Sequence, residues 1–206
     1  MKYKVFEKDS NGKEVSREVG LRELWNYVSE EEWKREARNA ELQYFRDTHR
    51  FCGSCGTQMQ PSTEISVKCP SCGREDFPYL SPAILVLIKR GEKALLVHAR
   101  NFSRPVFALV AGFVETGESL EECVAREVDE ETSLKISNIK YFGSQSWPFP
   151  SQLMIAFTAE HSTGELSFAD GELTDGGWFS RENPPLLPTL PSLSRRLIDA
   201  WLENKI

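Results

Sequence analysis

With 206 residues, 40% of them hydrophobic and 27% charged, the chain has the make-up of a globular protein with one substantial core and a small satellite, which excludes three full domains. A formal net charge of −6 excludes a surface that attracts nucleic acid as a whole, since Lys and Arg on phosphate dominate such binding, but it allows a short RNA end held at a local site. No run of about 18 apolar residues suggests a membrane span and no apolar segment follows the first lysines as in a secretory signal, so the expected compartment is the cytoplasm, without membrane partners.

Residues 1 to about 18 predict a hairpin, with Tyr3, Val5 and Val15 alternating around the turn signal Asn11-Gly12. A helix follows, with Ser29 as its cap answered by Glu32, and Trp33, Ala37, Ala40 and Tyr44 recur along it at helical spacing. An aromatic stripe of this kind builds a core or an interface, so this α+β module, residues 1–47, is assigned no chemistry.

Residues 48–76 differ in composition. Cys52-Gly-Ser-Cys55, thirteen residues, then Cys69-Pro-Ser-Cys72 form two pairs, each followed by a glycine, Gly56 or Gly73. Four thiolates at this spacing predict a tetrahedral structural Zn2+ site with no open position for water or substrate. The ribbon has too little apolar content to fold without its metal. Its nearby cations are Arg50, Lys68, Arg74 and His49, too few for a nucleic-acid reader. The fifth cysteine, Cys123, sits among Leu120, Val124 and Ala125 and is expected to be a buried, inert thiol.

From residue 77 to 206 the pattern is that of an α/β domain. Ala83 to Ile88 is a continuous apolar run expected to be a central strand buried on both faces, and Ala94 to Val97 a second strand across the turn at Gly91. Phe107 to Val114 leads to a helix rich in acids, in which Glu127, Glu130 and Glu131 share one face at i, i+3 and i+4. Crowded carboxylates repel one another unless a cation sits among them, and a hard divalent ion accepts oxygen ligands in that setting. Ile139 to Gly143, Leu153 to Ala159 and Trp178-Phe179 read as further strands. The tail from Ser192 forms an amphipathic closing helix through Leu193, Leu197, Trp201 and Leu202. The expected architecture is a mixed sheet sandwiched between helices.

The acids extend into a longer pattern: Gly112, five residues, Glu118, seven residues, Arg126-Glu127-Val128, one residue, Glu130-Glu131, one residue, Ser133-Leu134. This closely resembles the box of the Nudix hydrolases, which cleave nucleoside diphosphates linked to another group. The family usually has glycine where Ser133 stands, a position after the helix where positive φ is expected. Further on, Ser144-Gln145-Ser146-Trp147-Pro148-Phe149-Pro150-Ser151-Gln152-Leu153-Met154 resembles a motif of the family's NADH pyrophosphatase branch. Trp147 and Phe149 between prolines make a stiff aromatic loop, on which a flat base stacks with little loss of entropy.

The resemblance implies a Nudix fold preceded by the ribbon and the N-terminal module. It also implies hydrolysis of the pyrophosphate of NADH or NAD to a nicotinamide mononucleotide and AMP, with removal of NAD caps from RNA as a related activity, in a homodimer. Carried over by residue, Mg2+ or Mn2+ is expected at Glu127, Glu131, Glu172 and the Ala111 carbonyl, with Glu130 completing the cluster. Glu131 is the expected general base and Glu130 its alternative, while Arg126 and Glu118 pair to brace the loop. Glu64, Phe77, Phe113, Gln145, Ser146, Trp147, Pro148, Phe149, Pro150, Ser151, Gln152, Met154 and Ser194 match positions that contact the dinucleotide. Phe77, Ser146, Gln152 and Ser194 depart from the branch's usual residues, which leaves specificity for ADP-ribose as an alternative. A non-catalytic nucleotide sensor is a second alternative, whose expected mark is loss of the metal carboxylates.

Overall fold

The structure, a computed structural model, describes every residue except Asp9, Ser103, Ala169 and Asp170. It divides into two compact units, Met1–Leu80 with Trp147–Ser151, and Ser81–Ser146 with Gln152–Ile206. The segments 1–47 and 48–76 distinguished by composition therefore share the first unit, and the tip of the aromatic loop joins them there.

The first unit opens with β1 (Tyr3–Lys8) and β2 (Glu14–Val19), antiparallel from Tyr3 opposite Val19 to Lys8 opposite Glu14. Gly12, at φ 78°, supplies the left-handed residue of the turn. A single helical turn, α1 (Leu21–Leu24), leads to α2 (Glu30–Thr48), and the Ser29 side chain caps α2 by accepting the Glu32 amide at 3.2 Å. Val5, Val19, Leu21, Leu24, Trp33 and Ala37 pack as one cluster, and the Trp33 indole donates to the Leu21 carbonyl at 2.8 Å. Phe149 packs against the same cluster. The predicted stripe diverges at its far end, where Tyr44 is exposed and Leu42 and Phe45 are buried instead. The second half of α2 serves a different cluster, in which Phe45 meets Cys52, Met59, Val67 and Cys69 of the ribbon. The ribbon's three strands, β3 (Gln60–Pro61), β4 (Val67–Lys68) and β5 (Glu75–Asp76), are two residues each.

The second unit is built on β6 (Ser81–Arg90), whose residues Ala83 to Ile88 are all buried. Around it lie β7 (Lys93–Ala99), β8 (Val110–Phe113), β9 (Lys135–Trp147), β10 (Gln152–Thr163) and β11 (Leu173–Phe179). The sheet runs β11-β7-β6-β10-β9, with β8 also paired to β6. Strands β6 and β10 are parallel, while β8 and β7 pair antiparallel with β6, so the sheet is mixed. Alternation along β6 divides its side chains between two faces. Ile84, Val86 and Ile88 pack with Cys123, Val124 and Val128 of α3 (Leu120–Thr132), and Leu85 and Leu87 pack with Leu193, Leu197, Ile198 and Trp201 of α4 (Leu193–Leu202). This is the predicted sheet between helices, and it explains why the β6 run is continuously apolar. No helix among the described residues is long and apolar enough to cross a membrane.

Candidate functional site

Local chemistry fixes both ends of the acidic helix α3. Ser119 and Glu122 form a capping box: the Ser119 hydroxyl accepts the Glu122 amide at 3.3 Å and the Glu122 carboxylate accepts the Ser119 amide at 2.7 Å. At the other end Ser133 adopts φ 58°, ψ 21°, the left-handed conformation that glycine relaxes, and its amide donates to the Asp129 carbonyl at 2.8 Å. Cys123 is fully buried, and that burial pushes its thiol up to about 12, consistent with an inert core residue.

The acids of α3 lie at graded depths. Glu131 is buried at 5% exposure, Glu127 is partly buried, and Glu130 is exposed. Arg126 ties the outer acids together. Its guanidinium donates to Glu118 at 2.7 and 3.0 Å, to Glu127 at 2.9 Å, to Glu130 at 3.0 Å and to the Phe113 carbonyl at 3.0 Å. The pairing with Arg126 drives Glu118 down to about 2. Burial raises Glu127 above the ordinary carboxylate range, Arg126 opposes that shift, and the charges of Glu130 and Glu172 add to it. Glu172, exposed just before β11, therefore bears on the same carboxyl although it lies far along the chain.

Gly112 brings the strand to the helix. It sits on β8 opposite Ile84, and a Cβ built on it falls 1.9 Å from the Glu127 carboxyl carbon. Only glycine lets Glu127 lie against the β8 backbone, beside the neighbouring Ala111. Acids at graded depths on one helix, with Glu127 pressed against a strand at the one position without a side chain, make an oxygen-rich donor set that suits a hard divalent ion. Among the described residues these oxygens are spread more widely than the sulfurs of the ribbon, with Arg126 between them.

The four cysteine sulfurs lie within 4.8 Å of one another, with Cys52 to Cys72 at 3.6 Å and Cys55 to Cys69 at 3.5 Å. The edge of a tetrahedron with metal–sulfur bonds of the length found at zinc is about 3.8 Å, so the quartet fits such an ion. The two knuckles share the same glycine turn but aim different amides at their sulfurs, from the residue two after Cys52 and three after Cys69. Gly56 and Gly73, at φ 73° and 79°, donate to the Cys52 and Cys69 carbonyls at 2.9 and 3.0 Å. The Ser54 and Cys72 amides point at the Cys52 and Cys69 sulfurs, each at 3.4 Å.

The residues expected to contact a dinucleotide fall in both units. In the first, Trp147 and Phe149 meet edge to face at 4.9 Å, with Pro148 buried and Pro150 exposed beside them. Ser151 donates to the Tyr79 carbonyl at 2.9 Å and Phe77 is 48% exposed. Glu64 is held by Arg38 at 2.6 Å, while its carbonyl accepts Arg46 at 2.7 Å. In the second unit, Phe113 exposes its ring at the end of β8, Ser146 is exposed near the end of β9, Gln152 opens β10, and Met154 packs against the α4 side of the sheet. Gln145 donates to the Pro191 carbonyl at 2.8 Å, just before α4, leaving its buried Oε1 without a hydrogen-bond partner among the described residues. The Ser194 Oγ, on the first turn of α4, is also buried without a hydrogen-bond partner among the described residues.

Two features were not visible in the sequence. Arg22 lies over the aromatic pair, its guanidinium carbon 4.3 Å from the Phe149 ring centre and 5.5 Å from that of Trp147, and no local pattern links these residues. Arg126 reaches Glu127, its neighbour in sequence, in addition to the expected partner Glu118 and to Glu130 at i+4, and adjacent residues on a helix carry no pairing signal.

The fold and the acidic box define the class. The family model described as NUDIX domain matches residues 79–201, and the chain belongs to the Nudix family. Among curated proteins, the chain is 46% identical over 158 residues to the NAD-capped RNA hydrolase NudC of Pseudomonas aeruginosa (strain LESB58), covering 76% of this chain and 57% of that protein. It is 40% identical over 204 residues to the protein of the same name from Haemophilus influenzae (strain PittEE), covering 97% of this chain, its N-terminal module included, and 76% of that protein. The chain thus spans about three fifths of the length of the first of these relatives and three quarters of the second. Among solved structures, a NUDIX hydrolase from Nitrosomonas europaea superposes with a TM-score of 0.64 at 22% identity, covering 76% of this chain and 92% of that one, a likeness of fold.

Proposed function

We propose that this chain hydrolyses the pyrophosphate bond of NADH and NAD to a nicotinamide mononucleotide and AMP, and that it removes NAD caps from RNA 5' ends. The observation that carries this reading is the Glu127 carboxyl held against Gly112, with Glu131 buried one turn further along α3. The names of the relatives support the substrate class.

The Ala111 carbonyl with Glu127, Glu130, Glu131 and Glu172 would hold Mg2+ or Mn2+. Ions bound there supply charge neutralisation on the pyrophosphate oxygens and a lowered pKa for bound water. Glu131 takes the proton from the attacking water, whose oxygen joins one phosphorus while the bridging oxygen leaves with the other. Burial suits it to that task, because it excludes competing solvent. Arg126 holds Glu118, Glu127 and Glu130 in place. Trp147 and Phe149 stack a base, and Phe77, Phe113 and Met154 add apolar contact. Glu64, the Gln145–Gln152 segment and Ser194 complete the dinucleotide contacts.

Zn2+ in the four-cysteine site holds the ribbon together and takes no part in the reaction. Free thiolates serving as ligands suit a reducing, cytoplasmic compartment. The homodimer rests on the resemblance to the pyrophosphatase branch. Product analysis with Mg2+ or Mn2+ on NADH, NAD, ADP-ribose and NAD-capped RNA tests the reading. AMP from the free dinucleotides and a 5'-monophosphate end from the capped RNA are expected; turnover of ADP-ribose alone, or of none, refutes it.

A further inference from the structure

We propose that the groove between the free edge of β1 and helix α2 is a docking site for an extended segment of a partner protein, one that turns apolar and cationic side chains toward α2. The inference is independent of the hydrolase reading, since none of the groove's residues is among those assigned to the metals or the dinucleotide. Strand β1 pairs with β2 alone. Every second residue of an antiparallel strand turns its N–H and C=O away from its partner, so the outer edge of Tyr3–Lys8 carries a row of such groups. Among the described residues, no other backbone group bonds to them. A groove of about 520 Å3 lies there, lined on one side by the consecutive residues Tyr3 to Phe6. Successive side chains of a strand point to opposite faces, so a groove that touches all four follows the edge itself. Its other wall combines the apolar Leu24 and Val28 with the acids Glu32 and Glu36, one turn apart on α2.

These walls specify the occupant. An unpaired strand edge accepts an extended backbone as an added strand, and the contacts of alternate side chains give the specificity. Every second side chain of that added strand shares the face of Tyr3, Val5 and Glu7, the face that packs on Leu21, Leu24 and Trp33 through Val5. There it meets the buried Val5 and Leu24, which suit an apolar residue, and Glu32 and Glu36, which suit Lys or Arg. Burial, and then the charge of Glu36, hold the Tyr3 phenol above its ordinary range, so this carboxylate acts inside the groove. Arg35 offsets the two acids only weakly, from 3.4 Å in each case and with its side chain 62% exposed. On the opposite face the exposed Lys4 and Lys8 repel a segment that is cationic on both sides. A second copy adding its own β1 would turn Tyr3, Val5 and Glu7 toward α2, an acid and no cation, so charge favours a foreign segment over a copy.

The test uses the full chain and a fluorescent peptide, Thr-Val-Thr-Lys-Thr-Val-Thr-Lys-Thr, beside a counterpart with glutamate in place of both lysines. In anisotropy titrations the lysine peptide should bind about tenfold more tightly than the glutamate one, and it should slow amide exchange in β1 while leaving β6 unchanged. Glu36→Gln, the milder change to α2, should narrow the difference to about threefold, and Glu32→Lys combined with Glu36→Lys should reverse the preference. Equal affinity for the two peptides, binding of neither, or binding without slower exchange in β1 overturns the proposal. So does slower exchange in β1 that grows with chain concentration in the absence of peptide, which assigns the groove to a second copy.

Discussion

In the ribbon, four sulfurs converge from two short knuckles, and the apolar support around them is thin: Phe45, Met59, Val67 and two of the cysteines themselves. In the second unit the acids of α3 rest on a cluster running from Ile84 through Val128 to Leu173, which exists whatever the carboxylates hold. Both regions gather groups suited to a metal, but an ion would matter differently to each. Where the core is small, ligand binding supplies the folding free energy; where the core is large, the fold can position acids whose mutual repulsion it must withstand. A structural ion and a catalytic one can thus be told apart by what would hold the ligands in its absence.

The sharpest way to break that contrast is Cys69→Ser. A structural zinc site contributes on the order of 10 kcal/mol to a small domain, so the ribbon should unfold, with bound zinc falling from one per chain to none. Amide exchange should rise across Cys52 to Asp76 while β6 and β10 stay protected; equal loss of protection in β6 would show that the two regions are not independent.

The second test reverses the emphasis. Glu131→Gln should lower kcat by about 10²–10⁴-fold, the range for a lost general base, with zinc content and melting temperature close to wild type. Near-normal turnover in that variant would remove Glu131 from the chemistry.

The smallest effect concerns the brace. Glu118 is held at about 2 by Arg126, below the ordinary 4.5. A carboxylate depressed on folding stabilises the native state above its unfolded pKa, and that contribution is lost as pH falls from about 4.5 through about 2. The melting temperature of wild type should therefore drop more steeply over this window than that of Glu118→Gln. Parallel curves would mean that the Arg126 pairing contributes nothing to stability.

Much of this was legible in the sequence because the informative spacings are short. Two cysteines three apart share one knuckle, and Glu127, Glu130 and Glu131 share one helix face, so their local relations follow from chain geometry alone. The continuous apolar run of β6 likewise announced a strand covered on both faces. Ser133 showed its left-handed turn by standing where glycine is usual. The stripe through Tyr44 misled, because α2 changes the cluster it serves partway along its length, and no periodicity within the helix records that change.

The sequence by itself determined the acids of the box, the sulfur quartet and the stiff aromatic loop, each set by residues a few positions apart. Only the tertiary structure decided that Glu127 lies where a Gly112 side chain would be, that Glu172 bears on it, that Gln145 reaches the start of α4, and that Arg22 sits on Trp147 and Phe149. Those contacts join residues 15 to more than 120 positions apart. Chain paths through the core fix such distances, and spacing along the sequence does not encode them.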